Sequence, residues 1–214
     1  MSTTSTRSRE NTRARLLDAA AQVFAESGLD GATVEAVCER AGFTRGAFYS
    51  NFESKDELFL MLAGTVGNER LRAVRDRVAE MTASGALDEG CDVTQLVQQV
   101  MDTGNDDRLG VMLLSEIRIH ALRDEAFGRA YLQQEQEMVD GIARIISDIV
   151  ESGTMTLRVS PGDAARMLMI AWEGWTVRGA MAGLDAERLR RGASTELGAV
   201  VELLLGDDCP AADR

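Results

Sequence analysis

The residues with the most specific chemistry lie in the run TRGAFYSNFESK, residues 44–55. Arg45 carries a planar fork of N–H donors that matches guanine O6 and N7 in the major groove. Ala47 offers a methyl group suited to the thymine methyl, and Gly46 beside it keeps the same edge small. Backbone and side chains can then approach base edges closely. Tyr49 lies one position round and can hydrogen-bond a phosphate, while Phe48 and Phe52 read as core. This set is suited to reading a duplex, not to making or breaking bonds.

No other part of the chain offers competing chemistry. The sequence has no plausible Ser–His–Asp or Cys–His set, no P-loop and no cluster with metal-ligand spacing. Its one histidine, His120, cannot complete a usual zinc set. The three cysteines, Cys38, Cys91 and Cys209, are far apart and form no C-x-x-C. Without a secretory signal they suggest a reducing cytoplasm, and neither metal nor cofactor is expected. A helical enzyme or carrier using a cavity in the body, with residues 12–58 as an interaction module, is the reading from another class. No motif in the sequence supports it.

The elements that must hold Arg45 and its neighbours are short helices. Residues 12–27 place Leu16, Leu17, Ala20, Val23 and Phe24 on one helical face, ending at Gly28. Thr33 is a natural N-cap for a second helix that ends at Gly42. Thr44 caps a third helix of about two turns over residues 45–51. Ser54 and Glu57 form an S-x-x-E capping box that opens a fourth helix, expected to run to about residue 80. Two short helices about a tight turn at Gly42 match a helix-turn-helix. In that motif the first helix lies across the DNA backbone and the second enters the major groove.

Residues 12–60 resemble the DNA-binding domain of the TetR family of bacterial transcriptional regulators. The resemblance rests on Gly31–Val34, Ala41–Phe43, Gly46–Phe52 and Lys55–Leu58, where glycine, aromatic and lysine positions agree together. It covers about fifty residues of 214. One departure is Asn51, where many members carry histidine. The resemblance implies phosphate contacts from Thr33, Tyr49, Asn51 and Lys55, and base or near-base contacts from Thr44, Arg45, Gly46 and Ala47. It also implies a homodimer on a palindromic operator, and a body that binds a small-molecule effector. A repressor released by that effector is the expected function, with an activator or a ligand-independent regulator as the alternative.

The remainder of the chain is expected to be helical throughout. Its 45% hydrophobic content can fill a core, and only two prolines interrupt long helices. Helices are expected near 92–103, 107–122, 124–152, 161–182 and 185–205, about nine in all. Ser160, Pro161 and Asp163 give 161–182 a strong start, and Asp185 caps the last. These divide the chain into a flexible arm over 1–11, a DNA-binding domain over 12–58, a regulatory and dimerisation domain over 59–205 and a flexible tail over 206–214. Met112, Glu116, His120, Met138, Met169, Trp172 and Glu173 are the candidate effector contacts. Methionine-rich linings adapt to varied ligands, although methionine is also ordinary core filler. Helices 161–182 and 185–205 are expected to form much of the dimer interface, with Gly174, Gly179, Ala180 and Gly183 allowing close approach.

Charge follows the same division. The net charge of −12 falls wholly on residues 56–214, because residues 1–55 hold seven basic and seven acidic side chains. An acidic body repels phosphate, so DNA contact is confined to the head. The arginines at the N-terminal end, Arg7, Arg9 and Arg13, are placed to lie on DNA or in solvent.

Overall fold

A computed structural model describes residues 3–85, 97, 108–153 and 155–206. They form eight helices: α1 (Thr3–Gly31), α2 (Val34–Ala41), α3 (Arg45–Tyr49), α4 (Lys55–Ala83), α5 (Arg108–Arg123), α6 (Glu125–Glu151), α7 (Pro161–Met181) and α8 (Ala186–Leu204). Among the described residues there is no strand, only an isolated antiparallel bridge between Leu157 and Leu205. Apart from residue 97, the helix expected at 92–103 lies outside the described residues, as do Cys91, Cys209 and the side chain of Arg7.

The helix starts follow local chemistry. Thr33, Thr44, Ser160 and Asp185 each adopt extended backbone and accept a hydrogen bond from the amide three residues on. At α4 the Ser54 hydroxyl accepts from the Glu57 N–H at 3.1 Å. The Glu57 carboxylate returns the bond to the Glu53 N–H, one residue earlier than a standard box.

α1 departs from expectation by beginning at Thr3 instead of residue 12. Its added turns have tertiary partners. Arg9 Nη2 donates to the Ser50 carbonyl at 3.0 Å, and just beyond them Arg13 Nη2 reaches Glu57 Oε1 at 3.2 Å. At the other end Gly28, with φ 70° and ψ 179°, breaks the helix where glycine was expected to end it.

The chain forms two compact units. The first comprises Met1–Val66 and Met112–Leu132. Its core is built on Leu16, Phe24, Val37, Phe48, Phe52, Phe59 and Ile117, all nearly or wholly inaccessible to solvent. Burying each such side chain contributes about 1.5–3 kcal/mol. Phe48 and Phe52 pack with ring centroids 5.5 Å apart and fix the inner side of α3.

The second unit comprises Gly67–Val111 and Gln133–Arg214. There α4 and α6 approach through glycines. A Cβ on Gly141 would lie 2.4 Å from Leu71 Cδ2, and one on Gly67 would lie 2.5 Å from Met138 Cε. α7 and α8 form a close antiparallel-type hairpin joined at Gly183, with Trp175 Nε1 donating to the Leu189 carbonyl at 3.0 Å. Gly179 and Ala180 are buried within this unit, and a Cβ on Gly179 would meet Leu189 Cδ2 at 2.5 Å. These two small residues therefore serve packing inside the chain, not the approach of a second copy.

Candidate nucleic-acid interface

The turn between α2 and α3 is a Schellman motif. Gly42 adopts φ 72°, ψ 34°, the left-handed region that favours glycine. Its N–H donates to the Glu39 carbonyl at 3.2 Å, and the Phe43 N–H donates to the Cys38 carbonyl at 2.9 Å. Arg15 fastens the turn to α1 by donating to the Ala41 carbonyl at 2.9 Å and covering the Phe43 ring at 4.7 Å. Burial pushes the pKa of the Cys38 thiol up, as does the nearby Glu35 carboxylate, so Cys38 behaves as core.

α3 presents its first turn to solvent. Thr44 Oγ1 accepts from the Ala47 N–H at 3.2 Å, which spends the hydroxyl acceptor on the cap. Arg45 and Gly46 are exposed, Ala47 is half-buried, and Tyr49 is 50% exposed. A Cβ built on Gly46 would find only Thr44 Oγ1, at 3.7 Å. Neither packing nor backbone conformation requires a glycine there. The Arg45 guanidinium is ion-paired with Glu35 Oε1 at 2.6 Å and lies 5.9 Å from the Tyr49 ring centroid. Its hydrogen bond with Tyr49, and next the Glu35 carboxylate, hold its pKa above the ordinary arginine value.

Asn51 is 8% exposed, and its Nδ2 donates to the Ala47 carbonyl at 2.8 Å, which closes the end of α3 and commits one of its two N–H donors. Thr33 accepts from the Ala36 N–H at 3.2 Å at the start of α2. Lys55 opens α4 half-buried, with Nζ 5.3 Å from the Phe59 ring centroid.

The candidate effector residues fall into both units. Met112, Glu116 and His120 belong to the first, and Met138, Met169, Trp172 and Glu173 to the second. His120 Nε2 lies 3.1 Å from Asp56 Oδ1, and its ring packs edge-on to Phe127 at 4.5 Å. These contacts are those of a structural histidine. Met112 is 46% exposed. Trp172 Nε1 is buried without a hydrogen-bond partner, and the Arg70 guanidinium carbon lies 4.1 Å from the Trp172 ring centroid. Among the described residues no group of three or more His, Cys, Asp or Glu is placed to hold a metal, and no helix is long and apolar enough to cross a membrane.

Residue reading alone missed the internal roles of Arg9, Arg13, Arg15 and Glu35. Their partners lie 41, 44, 26 and 10 residues away, beyond the reach of helical periodicity. They come together only once the Gly42 turn is formed.

A tight Schellman turn, a short following helix with an exposed small leading edge and an all-helical body define a helix-turn-helix transcription regulator. Residues 16–62 match the family model described as bacterial regulatory proteins, tetR family. The HTH-type transcriptional repressor AcnR of Corynebacterium efficiens is 30% identical over 196 residues, covering 91% of this chain and 90% of that protein. AcnR of Corynebacterium glutamicum is 28% identical over 197 residues, covering 92% of each. The chain belongs to the TetR family of bacterial transcriptional regulators. A TetR transcription regulator from Haloarcula marismortui shares the fold, with a TM-score of 0.69 at 16% identity over 92% of this chain and 100% of that one.

Proposed function

We propose that this regulator is a homodimeric repressor whose α3 reads an operator through Thr44, Arg45, Gly46 and Ala47. Thr33, Tyr49 and Lys55 supply phosphate contacts that set its position on the duplex. The observation that carries this reading is Gly46: a glycine on an exposed helix edge, in open space, that the fold does not require. Glycine in a helix costs stability relative to alanine, so its smallness serves something outside the chain. Close approach of α3 to base edges supplies that reason. Repression is supported by the AcnR relatives, which are repressors.

The dimer forms through α7 and α8. Met167, Ile170 and Met181 lie along one stripe of α7 at 45%, 71% and 82% exposure, and Leu203 of α8 is 75% exposed. Two copies would place two recognition helices about 34 Å apart, or a multiple of that, to match the half-sites of a palindrome. The effector site centres on Trp172, whose buried indole N–H lacks an acceptor; Met138 and Met169 belong to the same unit. Effector binding lowers operator affinity only if it favours the DNA-incompetent state, and coupling of about 1–3 kcal/mol gives about 5–150-fold release.

The test uses duplexes selected by the protein from a random-sequence pool, compared with scrambled duplexes. Arg45→Ala relaxes base preference at one position, whereas Lys55→Ala weakens all sequences alike and reduces the salt slope by about one. Equal losses on selected and scrambled DNA for both variants would refute the division between reading and positioning. A monomer by light scattering at micromolar concentration would refute the dimer.

A further inference from the structure

We infer that Glu35 is a positioning and specificity residue for Arg45, an inference that rests on Arg45 reading a base. Glu35 is the second residue of α2 and belongs to the other helix of the motif. Its Oε1 holds Arg45 Nη1 at 2.6 Å, while Tyr49, one turn further along α3, faces the same guanidinium. The Arg45 head is thus bracketed from two helices before DNA arrives.

The fold has little use for this pair. The two side chains are 60% and 58% exposed, and ion pairs at such exposure contribute little to stability. At the DNA surface the pair has two effects. First, it restricts a flexible side chain whose free rotamers would otherwise be lost on binding. One carboxylate occupies the Nη1 end, and the remaining N–H donors of the fork stay available to a guanine edge. Second, it cancels the charge of Arg45 against phosphate. On random DNA, where no guanine sits in register, Arg45 then adds little, and the Glu35 carboxylate opposes loose contact. The carboxylate therefore lowers non-specific binding more than operator binding, which widens the ratio between them.

The experiment measures Kd for a selected duplex and a scrambled duplex of the same length, across a salt series, for wild type, Glu35→Gln, Arg45→Ala and the double variant. Glu35→Gln preserves shape and removes charge. It is expected to tighten scrambled-DNA binding several-fold, steepen the salt slope by about one, and reduce the selected-to-scrambled ratio by a similar several-fold factor. In the Arg45→Ala background the same change is expected to leave the ratio unaltered. If Glu35→Gln alone leaves ratio and slope unchanged while Arg45→Ala lowers the ratio, Glu35 has no such role. If Glu35→Gln alters the ratio equally with and without Arg45, its effect is general repulsion and positioning is refuted. If Arg45→Ala itself leaves the ratio unchanged, the base-reading assignment fails first. A loss of helix stability in Glu35→Gln, seen by circular dichroism, would not reproduce a gain on scrambled DNA.

Discussion

Replacing Gly46 with alanine should move stability and DNA binding in opposite directions. The new Cβ meets only Thr44 Oγ1 at 3.7 Å, an ordinary contact, and Gly46 does not occupy positive φ. No steric or backbone cost therefore offsets the helix preference of alanine, worth about 0.5–1 kcal/mol. At a domain size near 200 residues, 1 kcal/mol corresponds to a rise of about 2–4 °C in Tm. On DNA the same methyl enters a close contact, where overpacking costs about 1–3 kcal/mol, or about 5–150-fold in Kd. Thermal unfolding by circular dichroism and fluorescence anisotropy on a selected duplex read the two effects separately. Unchanged operator affinity would refute the close approach of α3 to base edges. A loss of stability would refute the open space around Gly46.

Three other perturbations test the scaffold. Gly42→Ala should destabilise by about 1–2 kcal/mol in urea unfolding, because its positive φ strains an L residue, and Gly42→Asn should lose less; equal losses would point away from the backbone cause. Gly192→Ala drives a Cβ to within 1.9 Å of the Trp175 ring, so it should cost about 1–3 kcal/mol by overpacking, whereas Gly67→Ala meets only the mobile end of Met138 and should be neutral or better; urea midpoints compared at one protein concentration decide this. The Ser160 hydroxyl, then Arg166, hold the Asp163 carboxyl below its ordinary value of 3.8, so its stabilising contribution is present above that pH and fades as pH falls through the lower folded pKa. Carboxyl NMR titration should show that midpoint rise in Ser160→Ala, and an unmoved midpoint would remove Ser160 as the principal cause.

The parts of the fold legible in sequence were those governed by neighbours. Thr33, Thr44, Ser160 and Asp185 cap their helices because a side-chain oxygen needs only an amide three residues on. Phe48 and Phe52 are inside because four-residue spacing puts both on one face of the turn. What was hidden depended on distant partners. The first turns of α1 carry no apolar stripe, yet Arg9 is held by Ser50 across 41 residues. Asn51 has the polarity of a phosphate contact, and the bond from its amide to the Ala47 carbonyl at the end of α3 was not legible in its residue type. Gly179 looked suited to a second copy and instead receives Leu189 of its own chain.

The arginines of the head have a consequence for the cell. Of the seven basic side chains in residues 1–55, Arg9, Arg13, Arg15 and Arg40 bond to Ser50, Glu57, Ala41 and Glu26, and Arg45 is shared with Glu35. Of these partners only the three carboxylates, on Arg13, Arg40 and Arg45, cancel charge, while Arg9 and Arg15 keep theirs on neutral carbonyls; the salt slope of binding scales with the cations that displace condensed counterions from a duplex. A head built this way answers to salt through fewer charges than it carries. Its occupancy should therefore fall less steeply as potassium rises under osmotic stress than the seven basic side chains taken alone would give.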